Sequence, residues 1–250
     1  MIPQQNMAAY IFSAILCLVV TGIIYVLLWR KNKSIETGML GAIGYGLTGY
    51  LWGGLLFPIV VLALIGNLTS LTGLKDNIYI LYLLFVSIFN AFFSILANVW
   101  GIFLTNQKQH SLFRSTTVGL GYGFTNAVIV TWLPLYEAVQ INRGVVAAPA
   151  TQQSMVDILA VGVSSSAMVV FFALTAMLLG QYVVEKDWKN TILCGLTCYG
   201  GMNLIRTCID NLLPDTVSSY ISIVFMLAVG VISFRLIQNR LLCETSRKNV

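Results

Sequence analysis

The sequence predicts an all-α integral membrane protein with about seven transmembrane helices. Of its 250 residues, 58% are hydrophobic and only 9% are charged, whereas about 25% of a soluble domain is charged. The mean hydropathy is +0.84. Apolar runs close to the 20 or so residues that cross a bilayer alternate with short polar or charged loops. We therefore expect residues 1–250 to form one polytopic domain in the lipid bilayer.

Each predicted span is an apolar run bounded by polar residues. The first run lacks the charged start and cleavage site of a signal peptide, so we expect it to be retained. In the second, Pro58 is expected to kink or end the helix. The longest predicted loop runs from Tyr136 to Ser154. The predicted spans are residues 8–28, 37–64, 78–104, 115–135, 155–184, 190–208 and 217–237.

The basic residues are unevenly divided between the two predicted sides of the membrane. Eleven of the fourteen Lys and Arg residues fall on the side that carries the C-terminus. The positive-inside rule then predicts an outside N-terminus and a cytoplasmic C-terminus. We expect the membrane to be the bacterial cytoplasmic membrane. Because topology accounts for the positive charge, no nucleic-acid partner is expected.

The fourth predicted span combines small and polar residues. Asn126 near its middle is costly in hydrocarbon unless it faces another helix or a cavity, and glycine is a poor residue for a helix interior. We therefore expect another helix to pack closely against this span. Small-residue faces also predict close packing in the second span. The glycines concerned are Gly119, Gly121 and Gly123 in the fourth span and Gly49 and Gly53 in the second.

The spans contain few groups that could perform acid–base chemistry. Their polar residues are mostly amides and phenols, which are poor general bases near pH 7 because an amide does not titrate and tyrosine has a pKa of about 10. The single histidine, His110, lies in a polar loop, and the five cysteines show no Cys-x-x-Cys spacing. Neither a metal site nor a cofactor is expected.

Three short motifs resemble those of a known family. Residues 119–127, GLGYGFTNA, resemble the Gly-His-Gly-Gly-x-Glu-Ala region of the YhfC family of predicted intramembrane proteases, which is similar to the CAAX-processing enzymes of the glutamic type. Residues 97–101, ANVWG, align with that family's Glu-Glu-x-x-Arg motif, and residues 199–203, YGGMN, with its His-x-x-x-Asn motif. The resemblance covers roughly residues 90–240 and includes the seven-span layout.

The motif positions depart from the family's catalytic residues. Ala97 and Asn98 stand at the two glutamates of the Glu-Glu-x-x-Arg motif, and Asn126 stands at the glutamate of the glycine-rich region. Tyrosines replace both histidines, glycine replaces the arginine, and only the final asparagine is kept. These positions are Asn98, Gly101, Tyr122, Asn126, Tyr199 and Asn203. An amide cannot take a proton from water. The resemblance therefore implies a catalytically inactive member that binds or scaffolds a membrane-protein partner or a second copy of itself.

Three alternatives stay open from the sequence. The chain could be an active YhfC-like protease that uses other residues, or the membrane subunit of a small-molecule transporter. The mid-span Asn and Tyr side chains could also serve only as interhelical hydrogen bonds. The family hypothesis makes two structural predictions. The motif positions should converge on one cavity, and the helices carrying Asn98 and Tyr199 should be the close neighbours of the fourth span.

Overall fold

In the computed structural model, every described element is a helix. The structure describes residues 2–31, 36–66, 79–106, 112–147, 153–205 and 215–248. The α-helices are α1 (Gln4–Lys31), α2 (Glu36–Gly49), α3 (Phe57–Gly66), α4 (Tyr79–Asn106), α5 (Leu112–Asn142), α6 (Met155–Val184), α7 (Trp188–Gly195) and α8 (Asp215–Lys248). Two π-helical segments, Tyr50–Leu56 and Leu196–Gly200, continue α2 and α7 without a break. His110 lies outside the described residues, as does the end of the sixth predicted span.

Among the described residues, five helices are long and apolar enough to cross a membrane: Gln4–Arg30, Leu40–Val61, Tyr79–Thr105, Leu112–Asn142 and Met155–Val184. The expectation of a multi-pass, all-helical protein is confirmed at this level. A shorter apolar stretch, Ser219–Ser233, lies in α8. The outer surface of the bundle is strongly apolar, with Trp52 and Trp100 each 65% exposed. Such a surface suits contact with lipid better than contact with water.

α5 is longer than the sequence predicts. The predicted loop from Tyr136 to Ser154 was wrong in its first part, because α5 continues through Pro134 to Asn142. Hydropathy falls at Tyr136, but the next residues include good helix formers such as Glu137, Ala138 and Gln140. The helix stops where Gly144 adopts a left-handed φ of +74°, a common way for a helix to end.

Pro58 does not end the second span. It is the second residue of α3, and the helix runs continuously through it. The backbone change lies just before it, in the π segment Tyr50–Leu56. Proline cannot donate the hydrogen bond of an α-helix interior, and a π turn is one of the irregularities that accompany such a break in the helical ladder.

α5 and α6 form the centre of the bundle. In their most apolar windows 56% and 61% of residues are buried, against 28% or less in the other three candidate spans. α5 packs on α6, α2, α1 and α4, and α6 packs also on α8. The polar middle of α5 is therefore enclosed by protein on several sides.

The glycines of α5 lie where backbones approach closely. A Cβ at Gly121 would overlap the backbone carbonyl of Ile43 in α2. A Cβ at Gly119 would overlap that of Phe172 in α6, and one at Gly123 would lie 2.9 Å from the Cα of Val169. The glycine row itself therefore meets α6 and α2. Of the two helices expected as close neighbours of the fourth span, α4 with Asn98 does pack on α5, but not at these three glycines.

The second glycine pair lies against α4. A Cβ at Gly53 would lie 2.5 Å from the Ala97 side chain, and one at Gly49 would lie 3.3 Å from the Ala97 carbonyl oxygen. These glycines allow α2 and the first π segment to pack closely on α4. That helix carries the motif at residues 97–101, which is the first of the three motifs in chain order.

Candidate functional site

A cavity of about 150 Å³ lies inside the bundle. It is bounded by α4, α5, α6, the two π segments and the helical turn that follows the second of them. Its lining is a mixture of amides, phenols, thioethers and small residues: Tyr50, Gly54, Asn90, Ser94, Tyr122, Asn126, Met168, Phe172, Tyr199, Met202 and Asn203.

Four of the six motif positions line this cavity, namely Tyr122, Asn126, Tyr199 and Asn203. They come from α5 and from the second π segment with its following turn, which are far apart in the sequence. The two positions in the motif at residues 97–101 lie outside the cavity. Asn98 is completely buried in α4, one turn beyond the cavity, and a Cβ at Gly101 would lie 2.8 Å from the side chain of Val118.

Asn126 is held from two sides. The hydroxyl of Tyr50, in the first π segment, donates a hydrogen bond of 2.7 Å to Asn126 Oδ1. The amide Nδ2 of Asn126 donates to the sulfur of Met168 in α6. The bond from Tyr50 orients the Asn126 amide in the cavity wall, with Oδ1 toward the first π segment.

Tyr122 joins α5 to α4. Its hydroxyl donates a hydrogen bond of 2.9 Å to Ser94 Oγ. The amide Nδ2 of Asn98 donates to the backbone carbonyl of the same Ser94 at 2.9 Å. Ser94 therefore contacts both the cavity residue Tyr122 and Asn98 of the motif at residues 97–101, although Asn98 does not line the cavity.

A continuous row of aromatic rings forms one wall. The Tyr50 and Tyr122 rings meet edge to face at 5.0 Å, and the Tyr122 and Phe172 centroids are 4.8 Å apart. Phe172 and Tyr199 stack at 5.4 Å with an interplanar angle of 28°. These distances fall in the range of favourable aromatic pairs. The wall thus links the first π segment, α5, α6 and the second π segment.

Tyr199 contributes a hydroxyl without a partner. Its side chain is 1% exposed, and the hydroxyl makes no hydrogen bond to any residue that the structure describes. A buried polar group of this kind costs free energy comparable to a lost hydrogen bond. Native structures rarely leave such a group without a structural or functional reason.

The cavity wall lacks the groups that acid–base catalysis requires. Among the described residues that line it there is no carboxylate, histidine, lysine or arginine. Amides do not titrate, and a phenol is a weak acid near neutral pH. The arrangement can donate and accept hydrogen bonds and can stack against a flat ligand. The described lining offers no group that could activate water in the way that a glutamate can.

Part of the lining was not singled out from the sequence. Asn90, Ser94 and Asn98 are four residues apart and share one face of α4, a spacing that could have identified Ser94. Tyr50 and Gly54 carry no such signal, because their positions depend on the π segment. Both π segments supply lining residues, in keeping with the frequent occurrence of π turns at functional sites.

Comparisons with known proteins add no relative. No family model matches the chain, and no curated protein or solved structure matches it either. The resemblance to the YhfC family rests on the three motifs, and the positions that carry it are the ones whose geometry is given above.

Proposed function

We propose that this chain is an intramembrane-protease-like membrane protein without catalytic activity that binds a partner within the membrane. In this proposal it spans the bacterial cytoplasmic membrane seven times, with its N-terminus outside and its C-terminus in the cytoplasm. The partner is another membrane protein or a second copy of the chain.

One observation carries the proposal. Four residues aligned with the family's motifs line the same cavity, although they come from two segments separated by about 70 positions. The residues there are neutral at each place where the family has an ionisable catalytic group. Where the family would transfer a proton, the polar centre of this chain forms hydrogen bonds such as Tyr50–Asn126.

The transporter alternative has a specific observation in its favour, since a polar cavity near the centre of a helical bundle suits a substrate path. It predicts solute uptake into vesicles that depends on this protein. The binding hypothesis predicts no such uptake. Both alternatives differ from an active protease, which needs a titrating group that the described lining does not supply.

Photo-crosslinking in the host membrane tests partner binding. Benzoylphenylalanine is placed at Trp100, which is 65% exposed on α4, the helix of the first motif, and as a matched control at Ile102, which is completely buried two residues later. We expect one defined protein adduct from the exposed position and none from the buried one. The adduct mass distinguishes a second copy from another protein. If Trp100 and the equally exposed Trp52 both yield only lipid adducts, the binding proposal is contradicted.

A further inference from the structure

The cavity has the features of a binding site for a small molecule. The Tyr199 hydroxyl is enclosed and lacks a partner among the described residues. Asn90 and Asn203 line the same cavity and are only half-buried. Each of these side chains can both donate and accept a hydrogen bond.

The volume limits the size of the ligand. A cavity of about 150 Å³ is known to accommodate benzene, and the volume here is about 150 Å³. A ligand of about six to eight non-hydrogen atoms therefore fits. Gly54 contributes to this space, because a Cβ there would lie 2.6 Å from the Tyr122 hydroxyl oxygen.

The walls limit its shape and charge. Phe172 and Tyr199 line the cavity and stack on each other, so the cavity has an aromatic wall against which a planar ligand can pack. No charged side chain occurs among the described residues of the lining, and an unpaired charge is costly to transfer out of water. An uncharged ligand is therefore favoured over an anion. A cation could still contact the ring faces, and the experiment below includes one.

We propose that the cavity binds a small, uncharged, planar molecule that carries both a hydrogen-bond donor and an acceptor, as cyclic amides do. The Tyr199 hydroxyl bonds one polar atom of the ligand, and the amide of Asn203 bonds another. This inference goes beyond the proposed function, because it requires neither a protease ancestor nor a membrane partner.

Saturation-transfer NMR on the full chain in lipid nanodiscs tests it with four ring compounds of similar size. 2-Pyridone is neutral and has a donor and an acceptor, benzene has neither, N-methylpyridinium is a cation and furan-2-carboxylate is an anion. Nanodiscs without protein correct for partition into lipid. We expect saturable binding of 2-pyridone in preference to the other three probes.

Two variants locate the binding. Tyr199→Phe keeps the ring and removes the hydroxyl, so it should weaken 2-pyridone binding about five- to tenfold. Tyr136→Phe makes the same change at a position that is 61% exposed and does not line the cavity, and it should have no effect. Asn203→Leu, at a half-buried position, should also weaken binding and carries the test if Tyr199→Phe fails to fold.

Three results would overturn the inference. They are the absence of saturable 2-pyridone binding, tighter binding of benzene or N-methylpyridinium than of 2-pyridone, and equal effects of Tyr199→Phe and Tyr136→Phe. None of them bears on the crosslinks from Trp100, so failure of the ligand site and failure of partner binding are distinguishable.

Discussion

The hydroxyl of Tyr50 donates a 2.7 Å hydrogen bond to Oδ1 of Asn126 in the buried centre of the bundle. The two residues are 76 positions apart. The bond ties the first π segment to the middle of α5. It also gives the costly mid-membrane amide a partner, which explains how Asn126 is tolerated there.

Removing this bond should destabilise the protein. Tyr50→Phe keeps the ring contact with Tyr122 but leaves Asn126 Oδ1 without the Tyr50 donor. We expect a loss of about 1 kcal/mol in the free energy of unfolding, measured by denaturation in mixed micelles. Tyr45→Phe, at a position 42% exposed, is the control. Equal stability of the two variants would show that the Tyr50–Asn126 bond contributes nothing.

The close contact of α5 with α2 predicts a strong effect at Gly121. In Gly121→Ala the new Cβ would overlap the backbone carbonyl of Ile43, so the two helices must move apart at a cost of about 2 kcal/mol or more. Gly44→Ala is the matched control, because nothing lies within 4 Å of a Cβ at that position. Thermal unfolding in detergent compares them, and a Gly121→Ala protein as stable as Gly44→Ala would contradict the described packing.

The N-terminus of α6 depends on a cap at Ser154. The Ser154 hydroxyl accepts a hydrogen bond from the backbone N–H of Asp157 at 3.2 Å and donates one to the Asp157 carboxylate at 2.6 Å. Ser154→Ala should cost about 1 kcal/mol, whereas Ser154→Thr keeps a capping hydroxyl and should cost less. Hydrogen exchange of the first turn of α6 measures the local effect. Identical exchange in the two variants would argue against the cap.

Much of the fold follows from hydropathy. Long apolar runs must form helices in lipid because their backbone groups have no other partners there, so the predicted and observed bounds of α6 agree. The predicted end of α5 was wrong because hydropathy reports the width of the membrane and not the length of a helix. Tyr136 lies outside the apolar run but still continues the helix.

The partners of a helix were harder to predict than its existence. Gly119 and Gly121 indicate that something packs closely, but a glycine presents the same surface to any neighbour. The order of the motifs predicted that the helices of Asn98 and Tyr199 would pack on these glycines, whereas α6 and α2 pack there. Tyr50 was not predicted as a cavity residue for a related reason. Its contact with Asn126 depends on a π segment, for which the sequence has no recognised signal.

The central claim is that four of the six motif positions line one cavity and offer it no group that could activate water. A cleavage assay on the purified chain in liposomes tests this most directly, with a mixture of single-span peptides as substrates and mass spectrometry to detect new termini. We expect no cleavage by the wild-type chain above protein-free liposomes, and the same result for Asn98→Ala and Asn126→Ala. Cleavage by the wild type that disappears in Asn126→Ala, with expression and folding intact, would contradict the account.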